Sequence, residues 1–357
     1  MATPDLTIRG GGIFGLSVAW AAVKRGAKVR LVERERIGAG SSGGLVGALS
    51  PHVPENWNDK KAFQFESLAM GESWWAEVEA ASGLPTGYAR LGRYQPLADE
   101  RAVAHARARA EEARVLWQGR FTWEVIEATG AFAPQSPTGL VIHDTLTARL
   151  NPRLAVPALV EAIRARGGEI VVGEDADEAG DAGPVVWATG VPGLQALSED
   201  LGKPVGGGVK GQAMVVALDA RDQPQVFSTG LLIVPHGNGT TAVGSTSEND
   251  WTEPDTTDAQ LEAVHARAVA LCPWLEGAPV LTRWAGLRPR ARSLAPMLGE
   301  WPGRPGQFVA NGGFKIGFGM APKVGEVTAA LVLEGRDEIP EGFRVEASLK
   351  KKIKAED

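Results

Sequence analysis

The chain has 357 residues, 44% hydrophobic and 22% charged, enough for a large core and, at this length, for two domains. Its formal net charge of -6 is the wrong sign for a general affinity for nucleic acid, which needs a concentrated basic surface. A single cysteine, Cys272, excludes an internal disulfide and a cysteine metal cluster and fits a reducing cytoplasm, where the chain is expected to reside.

The apolar Leu6-Thr7-Ile8 leads into Gly10-Gly11-Gly12-Ile13-Phe14-Gly15, and from Ile13 to Lys24 small and apolar residues recur at helical spacing. No basic segment precedes this run, which argues against a signal peptide. Gly26 stops the helix and Lys28-Val29-Arg30-Leu31-Val32-Glu33 alternates into a second strand, giving a βαβ unit. Ala62 to Ala81 reads as a helix broken by Gly83-Leu84-Pro85, with strand-like pieces following between Tyr88 and Leu97. Ala102 to Val115 reads as an exposed helix rather than a nucleic-acid arm, since Glu111 and Glu112 interrupt its positive charge.

Pro152 to Arg166 is a further amphipathic helix, ended by Gly167-Gly168 and followed by the strands Glu169-Ile170-Val171-Val172 and Val185-Val186-Trp187-Ala188. Gly211 to Val216, Leu231 to Pro235 and Thr240 to Gly244 alternate as an antiparallel sheet with a turn at Gly237-Asn238-Gly239. The βα pattern returns with Phe308-Val309-Ala310, a glycine turn and a helix from Met320 to Leu333. Lys350-Lys351-Lys352 falls in a charged tail read as solvated. No stretch is apolar over the ~18 residues of a membrane span.

Gly10, Gly12 and Gly15 satisfy the dinucleotide fingerprint. The first permits the tight turn, the second lets backbone approach pyrophosphate, and the third allows close helix–strand packing, with phosphate at the helix N-terminus. Glu33 stands 18 residues after Gly15, where a carboxylate can accept from the adenosine ribose hydroxyls and disfavours a 2′-phosphate. FAD and NAD share this fingerprint.

The segment Gly38-Ala39-Gly40-Ser41-Ser42-Gly43-Gly44-Leu45-Val46-Gly47-Ala48-Leu49-Ser50-Pro51-His52 resembles the second flavin-contacting segment of the D-amino-acid oxidase and glycine oxidase superfamily. Val185 to Gly190, Lys210-Gly211-Gln212, Leu232 to Pro235 with Val243 to Thr246, and Ala285 to Arg290 followed by Asn311 to Gly317 and Met320-Ala321-Pro322 continue the resemblance along most of the chain, closest to glycine oxidase-like and sarcosine oxidase-like members. It implies an α/β fold: a Rossmann-like FAD-binding domain of the glutathione-reductase type, interleaved with an antiparallel-sheet α+β substrate domain. The expected division is 1–82, 141–205 and 284–345 for FAD, 83–140 and 206–283 for substrate, and 346–357 as a charged tail.

The resemblance implies non-covalent FAD, since the positions used for covalent attachment are not matched. It sets FAD against Gly10, Gly12, Ile13, Phe14 and Gly15, against Glu33 and Arg34, and against Ser41, Ser42, Gly44, Leu45, Ala48 and Leu49 in the glycine loop. Ala188, Thr189 and Gly190, and then Gly312, Gly313, Phe314, Lys315 and Ile316, complete that set. Arg288 aligns with the arginine that grips the substrate carboxylate as a fork. Lys315 falls where glycine oxidases have an arginine and sarcosine oxidases a substrate-binding lysine. His52 and His236 are candidates for proton transfer near neutral pH, with His52 the nearer to the flavin-contacting loop. Trp57, Trp251 and Trp284 are candidates for an aromatic pocket.

The chain departs from the family at Ser293, where an aspartate is common, and in having only Tyr88 and Tyr94 as tyrosines, which weakens a strict D-amino-acid oxidase reading. The activity implied is oxidation of the C–N bond of a small amino acid or secondary amine to an imine by hydride transfer to flavin N5, with oxygen or another acceptor. The alternatives are a tRNA wobble-uridine-modifying oxidase-like enzyme and a flavin subunit of a larger electron-transfer dehydrogenase. Substrate identity, acceptor and oligomeric state stay open.

Overall fold

The computed structural model describes residues 3–174, 176 and 179–350. In chain order the elements are β1 (Leu6–Arg9), α1 (Ile13–Lys24), β2 (Val29–Glu33), β3 (Ala48–Leu49), α2 (Asp59–Ser82), β4 (Arg93–Pro96), α3 (Glu100–Leu116), β5 (Trp123–Glu127), β6 (Leu140–Asp144), β7 (Ala148–Arg149), α4 (Pro152–Ala165) and β8 (Glu169–Val172). Next come β9 (Val185–Trp187), α5 (Gly190–Asp200), β10 (Gly206–Val216), β11 (Gln225–Ser228), β12 (Leu231–Pro235), β13 (Thr241–Gly244), α6 (Ala259–Leu271), β14 (Val280–Ala291), β15 (Met297–Glu300), β16 (Gln307–Asn311), α7 (Gly317–Glu334) and α8 (Val345–Leu349).

Two compact units result. The first comprises residues 1–42, 159–209 and 287–357, and the second 43–158 and 210–286. The first is built on a six-stranded sheet of order β15-β16-β9-β1-β2-β8. Its strands are parallel except for the antiparallel β15–β16 pair. A parallel sheet needs both faces covered, and α1 and α7 pack on each other within this unit, with Gly325 so close to Ser17 that a Cβ would come within 2.4 Å of its carbonyl oxygen. By length and hydropathy alone the stretch Phe314–Glu334 could cross a membrane, yet 56% of its most apolar window is buried inside the fold. It serves here as a core helix.

The second unit carries most of an eight-stranded sheet, order β14-β10-β13-β12-β11-β4-β6-β5. The expected hairpin is present: β12 and β13 pair antiparallel from Leu232↔Gly244 to Pro235↔Thr241, and His236 N–H donates to the Thr240 carbonyl at 2.7 Å across the turn. β14 was not expected as a strand. It contains Pro289, which cannot donate to a ladder, and it is tolerated because β14 lies at the sheet edge. Residues 43–82 and 141–158, assigned from sequence to the nucleotide-binding part, cluster with this second unit, where β3 pairs with β7 and β4 with β6. Cys272 caps the C-terminus of α6 in its apolar core, and burial pushes its thiol up to about 12, so it is inert.

Of the tail expected at 346–357, the start is not a solvated end. Leu349 packs against the apolar cluster of Leu194, Leu197 and Val309, and Ser348 is buried. Residues 351–357, with Lys351 and Lys352, lie outside the described residues.

Candidate active site

The glycine fingerprint forms the turn it encodes. Gly10 adopts φ +112°, and a Cβ there would lie 2.5 Å from the Ala188 carbonyl oxygen. At Gly15 a Cβ would lie 2.0 Å from the Gly10 carbonyl oxygen, so both positions exclude any side chain. Helix α1 begins without a capping side chain of its own residue Gly12 and without an acidic residue in its first turn. Ser42 reaches across instead, its Oγ accepting from Ile13 N–H at 2.9 Å. That bond consumes the hydroxyl as an acceptor and leaves its proton to donate outward, toward an anion at the helix end.

Glu33 ends β2 with its carboxylate fixed by two backbone donors, Gly11 N–H at 2.7 Å and Glu35 N–H at 2.9 Å. Each oxygen keeps a second lone pair for a ribose hydroxyl. Arg34 points to solvent beside Glu35. Ala188, Thr189 and Gly190 connect β9 to α5 and flank Gly10. The carbonyl-lined turn, the helix end braced by Ser42 and the fixed acid together fit a dinucleotide with free ribose hydroxyls.

The last glycine turn is joined to this cradle. A Cβ on Gly313 would strike the Phe14 ring at 2.8 Å, and Gly317 faces Ile13. Asn311, buried at the end of β16, holds the turn from both sides: its Nδ2 donates to the Gly190 carbonyl at 2.8 Å and its Oδ1 accepts from Gly312 N–H at 2.7 Å. Sequence reasoning passed over Asn311, although a polar residue closing an apolar strand next to two glycines was a usable signal.

Three cations gather at that turn. Arg288 is 8% exposed on β14; Arg290, two residues on, bridges to Gly313 and lies 5.6 Å from the Phe314 ring centre; Lys315 Nζ lies 5.6 Å from the same centre. Desolvation, then the charges of Arg288 and Arg290, push the Lys315 ammonium below the ordinary lysine value. Arg288, Arg290 and Lys315 thus lie near enough for the two arginine charges to act on the lysine. Ser293 makes its own turn, Oγ accepting from Ala295 N–H at 3.4 Å, while its N–H donates to Ser348 Oγ at 3.3 Å.

The remaining candidates belong to the second unit. Leu45 packs with Ala213, Val215, Val234 and Ala242, against which Val46, Ala48, Leu232 and Trp284 lie partly buried. Leu49 pairs with Ala148, and Gly44 precedes this stretch. Of the three tryptophans proposed for a pocket, only Trp284 is beside the glycine loop: Trp57 stacks edge-on to Phe65, and Trp251 is exposed. Tyr88 is half-buried, its phenol pushed up to about 12 by desolvation, and Tyr94 packs on His143.

His52 is held by Gln64. The Gln64 Oε1 accepts from His52 N–H at 2.8 Å and from its Nδ1, while Gln64 Nε2 donates to the Ser50 carbonyl at 3.1 Å. This amide orientation assigns the proton to Nδ1 and leaves Nε2 as an acceptor. Burial, followed by the charges of Lys60, Lys61 and Arg93, holds the imidazole below its ordinary value, so His52 is neutral at pH 7 and able to accept a proton.

His236 acts on the same loop. Its Nε2 donates to the Val46 carbonyl at 3.1 Å and its Nδ1 faces Asn151 Nδ2 at 3.4 Å; burial and then Arg149 keep it neutral. His236→Phe leaves the Val46 carbonyl and the Asn151 amide without their partner. We expect a loss of ~1–3 kcal/mol, read as a lower midpoint in urea unfolding at pH 7.5, with unchanged stability counting against the brace.

A family model described as FAD dependent oxidoreductase matches residues 5–331. Glycine oxidase of Pseudomonas putida is 28% identical over 342 residues, covering 89% of this chain and 91% of that protein. Among solved structures, glycine oxidase of Geobacillus kaustophilus superposes with a TM-score of 0.80 at 22% identity, covering 96% of this chain and 98% of that one. Iminodiacetate oxidase of a Chelativorans species gives a TM-score of 0.80 at 20% identity, covering 95% and 98%. At these identities the structural likenesses speak to the fold.

Proposed function

The chain belongs to the FAD dependent oxidoreductase (DAO) family, with FAD as its cofactor, and from that premise we propose that it oxidises the C–N bond of a small amino acid or secondary amine bearing a carboxylate. The product is an imine, which water hydrolyses. When bound, FAD supplies the two-electron acceptor that takes hydride from the carbon beside nitrogen. We assign the first unit to FAD and, through Arg288 and Lys315, to the substrate carboxylate.

One observation carries this reading: a buried arginine, Arg288, and a lysine, Lys315, share the glycine turn that packs against the N-terminus of α1. Guanidinium offers a planar fork to a carboxylate, and the lysine adds a point charge. Held at its carboxylate, an amino acid has its Cα–N bond in a fixed orientation, and orientation is worth several orders of magnitude in rate. The turn Gly312–Ile316 and the N-terminus of α7 present backbone donors that would hold the polar edge of the cofactor ring. His52, neutral and with Nε2 open, is the proposed proton acceptor of the second unit.

The test is anaerobic mixing of the holoprotein with glycine, sarcosine, proline and D- and L-amino acids, followed at the flavin absorbance. Bleaching by at least one carboxylated amine is expected. No bleaching across the panel sinks the reading.

The lowered Lys315 sets a pH dependence. Its ammonium anchors the carboxylate only while protonated, so this contribution is complete at low pH and is lost as pH rises through the depressed lysine value, earlier than for an exposed lysine. KM for the reactive amine should therefore rise by roughly tenfold on the alkaline side, in a step that Lys315→Met abolishes and Lys315→Arg moves out of range. A KM profile identical in wild type and Lys315→Met removes Lys315 from the anchor.

A further inference from the structure

Arg288 and Arg290 are two residues apart on β14 and so project from one face of the strand. Phe314, at φ +44°, presents its ring to the Arg290 guanidinium and the Lys315 ammonium at equal distances, 5.6 Å each. Among the described residues, the charges acting on Lys315 are cations, and Arg290 has ring stacking, not a carboxylate, for company. Arg290 and Lys315, two like charges against one ring, repel each other, and the arrangement is relieved when an anion enters. One substrate carboxylate needs a single fork and a single point charge, which Arg288 and Lys315 already provide. Arg290 is then a cation in excess of what a monocarboxylate can use.

We infer that Arg290 is a specificity-determining residue that receives a second carboxylate, making the preferred substrate an amino or imino dicarboxylate. This rests on Arg288 and Lys315 being the anchor of the first. Arg290 is half-buried and held over Phe314, so its guanidinium is placed in advance and little side-chain freedom is lost on binding.

The experiment uses FAD-loaded enzyme, wild type, Arg290→Gln and Arg290→Lys. Anaerobic flavin reduction is measured with iminodiacetate, aspartate and glutamate of both hands against glycine, sarcosine and alanine. Binding without turnover is measured with malonate against acetate, from the perturbation of the flavin spectrum. For wild type, kcat/KM for at least one dicarboxylate should exceed that of every monocarboxylate by about tenfold. Arg290→Gln should lower the dicarboxylate value and malonate affinity by a similar factor, leave glycine, sarcosine and acetate within about twofold, and be largely rescued by Arg290→Lys. Equal losses in both classes, or no dicarboxylate preference in an enzyme that oxidises glycine or sarcosine, overturns the inference while the amine-oxidising reading stands. A changed flavin reduction potential without changed selectivity assigns Arg290 to the cofactor instead. No reduction by any member of the panel removes both.

Discussion

Replacing Arg288 by leucine is expected to lower kcat/KM for a carboxylated amine by about 10³-fold, equivalent to ~4 kcal/mol. The size follows from where the guanidinium is. At 8% exposure on β14 it acts with little screening by water, and without it a substrate carboxylate would have to shed its hydration with only the point charge of Lys315 as anchor in return. Arg288→Lys keeps the charge but loses the planar fork, so it should recover only part of the activity. Flavin content and urea midpoint serve as controls, because a folding defect would lower both. Steady-state kinetics and anaerobic reduction should agree that the loss sits mainly in KM and in the reduction step. A decrease smaller than fivefold would take Arg288 out of the anchor.

A second large effect is expected at Gly15. The first side-chain carbon of any other residue would sit 2.0 Å from the Gly10 carbonyl oxygen and 3.3 Å from Ala188 Cβ. Neither neighbour can retreat: Gly10 N–H donates to the Val32 carbonyl at 2.8 Å, and Ala188 N–H to the Arg9 carbonyl at 2.7 Å, which ties both into the parallel sheet. Gly15→Val must therefore push α1 off the strand turn, with a cost of roughly 3 kcal/mol or more from overpacking in a close-packed core. The displacement also moves the α1 N-terminus, where Ser42 and the backbone donors are set for phosphate. Purified Gly15→Val should be colourless, with less than about a tenth of the wild-type flavin content and a clearly lower unfolding midpoint. A yellow, stable variant would show that this close approach is not needed.

Much of the architecture was legible because it rests on local rules. The βαβ unit announced itself through strand alternation, the glycine triad and the helix that follows, and the β12–β13 hairpin through Gly237-Asn238-Gly239. Helix α2 ends at Gly83 in the left-handed conformation, as a glycine breaker predicts. Less visible were β14 and β15. A strand containing Pro289 and a four-residue strand entered after Pro296, with Gly299 at φ +113°, carry little periodic signal, and both depend on partners far away in sequence. The start of the segment read as a tail is hard to see for a similar reason: Leu349 is one apolar residue before a run of lysines, and only its fit against the cluster of Leu194 and Val309 ties it to a core.

The candidate site divides along the same line. Sequence alone determined the dinucleotide fingerprint, the acid at the end of the second strand and the order of motifs that identifies the family, because each depends on residues close together in the chain. Tertiary structure decided which distant residues meet. Asn311 closes on Gly190 and Arg290 comes to lie over Phe314. Hydrogen bonds and ring contacts between segments more than a hundred residues apart, or between a strand and a later turn, leave no spacing to read. His236 shows the point most simply, as its bond to Val46 spans 190 positions and exists only because the β12–β13 turn folds back to the glycine loop.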